Sequence, residues 1–171
     1  GYKYATCITV NEQVVHGIPT PRKLKKGDVV SIDLAVEYKG WHTDTAWTVL
    51  VGKNPDKEKF LNTGQEALHL AIKQAIEGNR VGDISHAIQD KVEGEGYSVV
   101  RSLVGHGVGK SLHEDPEVPG YGKANTGMVL KSGMTLAIEV IYTQGLPDVV
   151  LDKDGWTFVS ADGSLAGLFE M

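Results

Sequence analysis

Two runs rich in apolar and β-branched residues, Val29–Tyr38 and Trp41–Val51, flank a short turn at Lys39-Gly40. Such a pattern predicts a β-hairpin. With a two-residue loop Tyr38 faces Trp41, so Ala35 faces Asp44 and Asp33 faces Ala46. Strand side chains alternate, so Asp33 shares a face with Ala35 and therefore with Asp44. The two carboxylates become diagonal neighbours, with Cβ atoms roughly 7–8 Å apart. Two metal ions about 3.5–4 Å apart would fit between them. One residue more or less in the loop reverses the parity. The hairpin alone leaves the plain alternative open: Asp44 on the surface, and Asp33 as a polar interruption of a strand.

The rest of the chain alternates between strand and helix periods. Residues 5–10 read as a strand, and Asn11–Pro19 ends in a Gly and Pro that punctuate a loop. Asn54-Pro55-Asp56 opens a helix carrying Phe60, Leu61, Leu68, Ala71, Ile72, Ala75 and Ile76 at helical spacing, closing near Gly78. Asp83 is placed to cap a second helix with Ile84, Ala87, Ile88 and Val92 on one face. His69 and His86 on these helices read as surface residues. Tyr97–Val104 reads as a strand running into Gly105-His106-Gly107-Val108-Gly109, followed by an irregular segment to about Gly127. Thr135–Tyr142 is an apolar strand with Glu139 inside it. Pro147–Gly155 reads as a loop, and Trp156–Ser160 with Leu165–Phe169 as a last hairpin ending at Glu170. Helices clustered between groups of antiparallel strands give the α+β class. No repeat or linker divides residues 1–171, so a single domain is expected.

Composition narrows the function classes. The chain has 171 residues, 41% hydrophobic and 23% charged, with a net charge of −5. That is ordinary for a globular domain, and no Lys/Arg block marks a nucleic-acid face. No apolar run approaches the roughly 20 residues of a membrane helix. Cys7 is the single cysteine, which excludes an internal disulfide and fits a reducing compartment. The chain opens at Gly1 without Met and stops at Met171 within a strand-like run, so both ends read as cut and a targeting segment stays open.

Glu139 sits in Leu136-Ala-Ile-Glu-Val-Ile-Tyr142, where a buried acid must be protonated, paired with a cation or bound to a metal. A salt bridge to Lys or Arg is the plain alternative. His106 is flanked by three glycines that let other groups approach closely. By itself it reads equally as a loop histidine; His113 in the same loop system adds weight to a functional role. Asp33, Asp44, Glu139, Glu170 and His106 together form a hard, oxygen-rich donor set suited to paired divalent Mn, Fe, Co or Zn. Such a pair would lower the pKa of a shared water and polarise a carbonyl. His16 and His113, if nearby, could hold a substrate amide or a developing oxyanion.

These stretches, in order and with compatible spacing over nearly the whole chain, resemble type I methionine aminopeptidases. The resemblance rests on Asn11-Glu-Gln-Val-Val-His16-Gly-Ile-Pro19, the eleven-residue step from Asp33 to Asp44, and Gly105–Gly109 with His113-Glu114. It rests too on Ile138-Glu139 and on Asp154-Gly-Trp156-Thr157 leading to Glu170. It implies a pita-bread fold, an antiparallel curved sheet with helices on its outer face, here incomplete at the termini. It implies a dinuclear site of two divalent ions (Co, Mn, Fe or Zn) held by Asp33, Asp44, His106, Glu139 and Glu170, with Asp44 and Glu170 bridging. It also implies proton transfer by Glu139, substrate contacts by His16 and His113, and a methionine pocket of Tyr2, Cys7, Leu112 and Trp156. A thioether suits a pocket of aromatic and soft groups. The implied reaction removes N-terminal methionine from new polypeptides whose next residue is small. The implied setting is a cytoplasmic monomer acting on peptide or nascent-chain N-termini, with ribosome contact left open and no nucleic acid or membrane as direct partner.

Four departures are visible. Val140 follows Glu139 where the family usually has Pro, and Leu112 stands where it has an aromatic. The family's N-terminal helices precede a position corresponding to Gly1, and its glutamate at Glu170 is usually followed by His-Thr and a closing strand. A ligand one residue from a chain end is expected to be loosely held, which would weaken metal binding and activity. Two other readings stay in view: a proline-directed pita-bread peptidase such as aminopeptidase P or prolidase, and an inactive pita-bread binding module or fragment.

Overall fold

The computed structural model describes residues 2–171. In chain order the elements are β1 (Cys7–Val10), β2 (Gln13–Val15), β3 (Val29–Tyr38), β4 (Trp41–Leu50), α1 (Pro55–Gln74), α2 (Val81–Gly94) and β5 (Ser98–Val99). Then follow β6 (Val104–Gly107), β7 (Glu114–Pro119), β8 (Leu136–Ala137), β9 (Glu139–Thr143), β10 (Val149–Leu151), β11 (Phe158–Ser160) and β12 (Ala166–Glu170). Six strands form one antiparallel sheet in the order β1-β3-β4-β12-β9-β5. Two three-stranded sheets, β10-β11-β2 and β7-β6-β8, complete the fold. Among the described residues no helix is long and apolar enough to cross a membrane.

The opening hairpin forms in the expected register, with Tyr38 opposite Trp41, Ala35 opposite Asp44 and Asp33 opposite Ala46. Lys39 (φ 52°) and Gly40 (φ 77°) both take the left-handed region, the backbone that a twisted two-residue hairpin loop requires. The Gly40 amide donates to Glu37 Oε1 at 2.6 Å.

The large sheet has two unlike faces, set by alternation. Val140, Tyr142 and Phe169 point to one side, where they pack with Phe60 and Leu68 of α1 and Ile84 and Ile88 of α2. Ile141, Leu168 and Ala46 point to the other, packing with Val14 and Val15 of β2. Glu139 and Glu170 lie two residues from Ile141 and Leu168, so they project away from the helices. Gly64 lets α1 approach closely, since a Cβ there would meet the rings of Phe169 and Tyr142. The Tyr142 hydroxyl donates to Phe60 O at 2.6 Å.

Several elements differ from the sequence expectation. Helix α1 ends at Gln74, not near Gly78: Ala75 leaves helical geometry (ψ 60°) and Ile76 is exposed. Asp83 does not cap α2. It is the third helical residue and accepts the Arg80 amide at 2.7 Å. The expected Tyr97–Val104 strand is split into β5 and the start of β6, and the segment expected to be irregular contains β7. The loop 147–155 contains β10. The last hairpin does not form. Strand β11 pairs with β10 and β2, whereas β12 pairs with β4 and β9. Asn11–Gln13 lies between them, with Ser160 N donating to Glu12 O and Ala166 N to Asn11 O.

The apolar run 135–142 is interrupted at Ile138, which exchanges two backbone hydrogen bonds with Met171 (3.1 and 3.2 Å). Before the break β8 pairs with β6, and after it β9 pairs with β12. One continuous segment thus joins two sheets.

Candidate functional site

Four acids gather on the helix-free face because strand register puts them there. Reading across the large sheet, Cys7 of β1 is opposite Asp33, Asp33 opposite Ala46, Ala46 opposite Glu170, and Glu170 opposite Glu139. Directly paired residues share a face, so these five form a transverse row. Asp44 is two residues from Ala46 and projects beside the row.

His106 arrives from the second sheet. It is opposite Ala137, two residues before Glu139, so the break at Ile138 carries the chain from the histidine's partner to the acid. A Cβ on Gly105 or Gly107 would collide with the carbonyls of Ala137 or Asp115, so the flanking glycines are needed for this close approach. His106 Nδ1 lies 2.8 Å from Gly107 O. A carbonyl only accepts, so Nδ1 carries the proton and Nε2 of the neutral ring keeps its lone pair. Nε2 faces Glu139 Oε1 at 3.5 Å and Asp44 Oδ2 at 3.9 Å. Both gaps are too long for good hydrogen bonds. Ligand atoms of Asp44, His106 and Glu170 all lie within 4.8 Å of one another.

The electrostatics call for a cation. Among the described residues no Lys or Arg pairs with Asp33, Asp44, Glu139 or Glu170; His106 is the sole ion-pair partner in the group. The salt-bridge alternative for Glu139 therefore does not hold. Glu170 Oε1 is buried with no hydrogen-bond partner. Burial pushes the Asp33 carboxyl up to about 6, and the Asp44 charge adds to it. Burial also raises Asp44, against the pull of His106. Glu139 and Glu170 are raised well above the carboxylate range, first by burial and then by the neighbouring acids. Oxygen and imidazole donors, an orphaned buried oxygen and unpaired acids together fit divalent metal ions. Glu170 is also well held: it is 3% exposed, sits in a strand matched to β9 over five residue pairs, and Met171 is bonded to Ile138. The expected looseness is not what the structure shows.

Beside the acids lies a cavity of about 350 Å³. Its walls include all six residues expected around a substrate: Tyr2, Cys7, His16, Leu112, His113 and Trp156. Asp33 and Asp44 line its floor. The rings of Tyr2 and Trp156 meet edge-on at 5.4 Å. Asp154 holds the Trp156 loop by accepting the Trp156 and Thr157 amides and the Thr157 hydroxyl (2.6–2.8 Å). His16 takes a left-handed backbone (φ 59°) just before Gly17, where a Cβ would meet Ile8. The His113 ring lies edge-on to His106 at 4.3 Å. Burial lowers the pKa of both His16 and His113, with His113 and His106 respectively adding to the effect. Tyr4, Ala5, Thr6, Leu34 and Ala35 also line the cavity and were missed. Ala35 was within reach of the hairpin parity; the other four carry no chemical signal. A larger cavity, about 450 Å³ between the end of α1 and residues 130–136, contains none of the acid–histidine group.

Comparison with known proteins agrees with this geometry. The pattern of metallopeptidase family M24 matches residues 1–163. Methionine aminopeptidase 1 of Bacillus subtilis is 47% identical over 171 residues, covering 99% of this chain and 69% of that protein. The crystal structure of a methionine aminopeptidase from Thermotoga maritima superposes with a TM-score of 0.97 at 49% identity, over 99% of this chain and 69% of that one. Prolidase from Pyrococcus furiosus shares the fold, with a TM-score of 0.75 at 23% identity over 98% of this chain and 44% of that one. The chain belongs to metallopeptidase family M24, among the methionine aminopeptidases.

Proposed function

We propose that residues 1–171 form a single catalytic domain that removes N-terminal methionine from peptides and nascent chains. Two divalent ions (Co, Mn, Fe or Zn) are held by Asp33, Asp44, His106, Glu139 and Glu170. The observation that carries this reading is the convergence of four acids, none with a Lys or Arg partner among the described residues, and His106 Nε2 beside a substrate-sized cavity. Bound divalent ions supply Lewis acidity, which acidifies water and polarises a peptide carbonyl.

The protein's own groups do the rest. Glu139, 3.5 Å from His106 Nε2 at the edge of the acid row, is placed to take a proton from the attacking water and pass it to the leaving amine. His113, whose pKa is lowered by burial and by His106 so that the neutral ring is favoured near neutral pH, donates an N–H to the scissile carbonyl oxygen as charge develops there. His16 contacts the amide beside it. Tyr2, Cys7, Leu112 and Trp156 enclose the methionine side chain, where the sulfur meets ring edges. Leu112 in place of an aromatic leaves this pocket looser on one side. The same reading has the domain work in the cytoplasm, as a monomer, on peptide and nascent-chain N-termini.

The relatives at 47% and 46% identity carry the name methionine aminopeptidase, whereas the prolidase likeness extends to the fold alone. An assay decides between them: Met-Ala-Ser and an Ala-Pro peptide, with added Mn or Co. Cleavage of Met-Ala-Ser is expected. Cleavage of the Ala-Pro peptide alone would make the domain a proline-directed peptidase. Folded protein that binds no metal and cleaves neither would make it an inactive module.

A further inference from the structure

The candidate metal centre straddles the weakest seam of the large sheet. Strands β3 and β4 are matched over ten residue pairs, and β12 and β9 over five, but β4 and β12 are matched at one, Ala46 with Glu170. Asp33 and Asp44 lie on one side of that seam, and Glu170 and Glu139 on the other. A site of five convergent ligands needs its two halves held at a fixed separation, and a single ladder pair is a poor clamp.

Side-chain hydroxyls supply what the ladder lacks. Thr48 is 1% exposed. Its Oγ1 donates to Leu168 O at 2.5 Å and accepts from Leu168 N at 3.0 Å. Its one proton being spent, Thr48 Oγ1 accepts from the Ser31 hydroxyl at 2.8 Å. One side chain thus satisfies both backbone groups of Leu168 and is itself anchored to β3. On the other side of Ala46, Thr45 Oγ1 donates to Glu170 O at 3.0 Å. The Thr45 amide donates to Asp44 Oδ1 at 3.1 Å. Thr45 therefore touches an acid from each half.

We infer that the hydroxyls of Thr45 and Thr48 are positioning groups that set the distance between the two halves of the metal site. Neither donates to a metal or touches substrate. Each acts through the backbone of β12, Thr48 at Leu168 and Thr45 at Glu170. The inference rests on the proposed metal-dependent function.

The test is calorimetric Mn²⁺ binding to the folded chain. Thr48→Val keeps the shape and removes the hydroxyl; it is expected to weaken Mn²⁺ binding about 10–100-fold. Thr48→Ser keeps the hydroxyl and is expected to restore it. Thr45→Val, at an exposed position, is expected to weaken binding about 10-fold. Ile88→Val on α2 loosens the helix–sheet core and is expected to leave Mn²⁺ affinity unchanged, which separates positioning from general stability. Wild-type affinity in Thr48→Val overturns the inference; if that variant does not fold, wild-type affinity in Thr45→Val does so alone. Absence of Mn²⁺ binding by the unmutated chain overturns the metal reading itself, a different result.

Discussion

Glu139 and Glu170 stand directly opposite one another on β9 and β12, largely buried, with no Lys or Arg beside either among the described residues. Burial, and then the neighbouring acids, raise the proton affinity of both, so the folded state holds protons that the unfolded chain would release. For such groups stability falls as pH rises from the ordinary carboxylate pKa through the folded one. For Asp33, moving from 3.8 to about 6, the loss is about 3 kcal/mol once ionised. His16 and His113 act in the opposite sense, since their lowered pKa values cost stability only below their ordinary 6.5.

Above pH 6.5 the two histidines no longer offset the raised acids. Metal-free protein should lose thermal stability between pH 6.5 and 8, and saturating Mn²⁺ should remove the decline, because the ion replaces the protons. Melting temperatures in EDTA and in Mn²⁺ check this. A flat profile in EDTA would contradict the unpaired state of the acids.

Glu170→Gln should separate stability from function. It replaces a carboxyl that must take up a proton on folding at this pH with a neutral amide, so in EDTA at pH 8 it should melt a few degrees higher. It also removes a proposed metal ligand, and should lower turnover of a Met-peptide by about 10³-fold. Lower stability in EDTA would show that Glu170 is already compensated.

His113→Ala should reduce kcat by about 10²–10³-fold, the usual cost of one donor to a developing oxyanion, with Mn²⁺ stoichiometry unchanged. Loss of metal along with activity would move His113 into the ligand set.

Ala46 is the small gap in the row, between Asp33 and Glu170 and 1% exposed. Ala46→Val adds two methyl groups among the carboxylates. Metal affinity should fall at least about 10-fold, read by calorimetry. Undiminished affinity would mean the acids lie clear of the floor.

Gly64→Ala tests the helix side of the sheet. The added Cβ would lie 2.5 Å from Phe169 Cδ2 and 2.6 Å from the Tyr142 hydroxyl oxygen. Overpacking of this kind costs about 1–3 kcal/mol, so chemical denaturation should show the loss while activity per folded molecule stays close to normal.

The hairpin was legible because its information is local. A two-residue turn and period-two alternation determine which side chains share a face, and Asp33, Ala35 and Asp44 follow without reference to anything distant. The glycines around His106 and the buried setting of Glu139 were readable for similar reasons. Helix ends were read less well. Ile76 continued the apolar spacing although the chain had already turned at Ala75, and Asp83 looked like a cap although the helix began two residues earlier.

What the sequence determined by itself was the set of chemical groups and their local faces: four acids, three histidines and a hairpin that aims two of the acids one way. Only the tertiary structure decided that Glu139 and Glu170 face each other, that Ala46 stands between Asp33 and Glu170, and that β12 pairs with β4 and β9 rather than with β11. The physical reason is that ladder partners distant in sequence are chosen by burial of whole faces. The break at Ile138, which carries one apolar run between two sheets, leaves no mark in the pattern of the run itself.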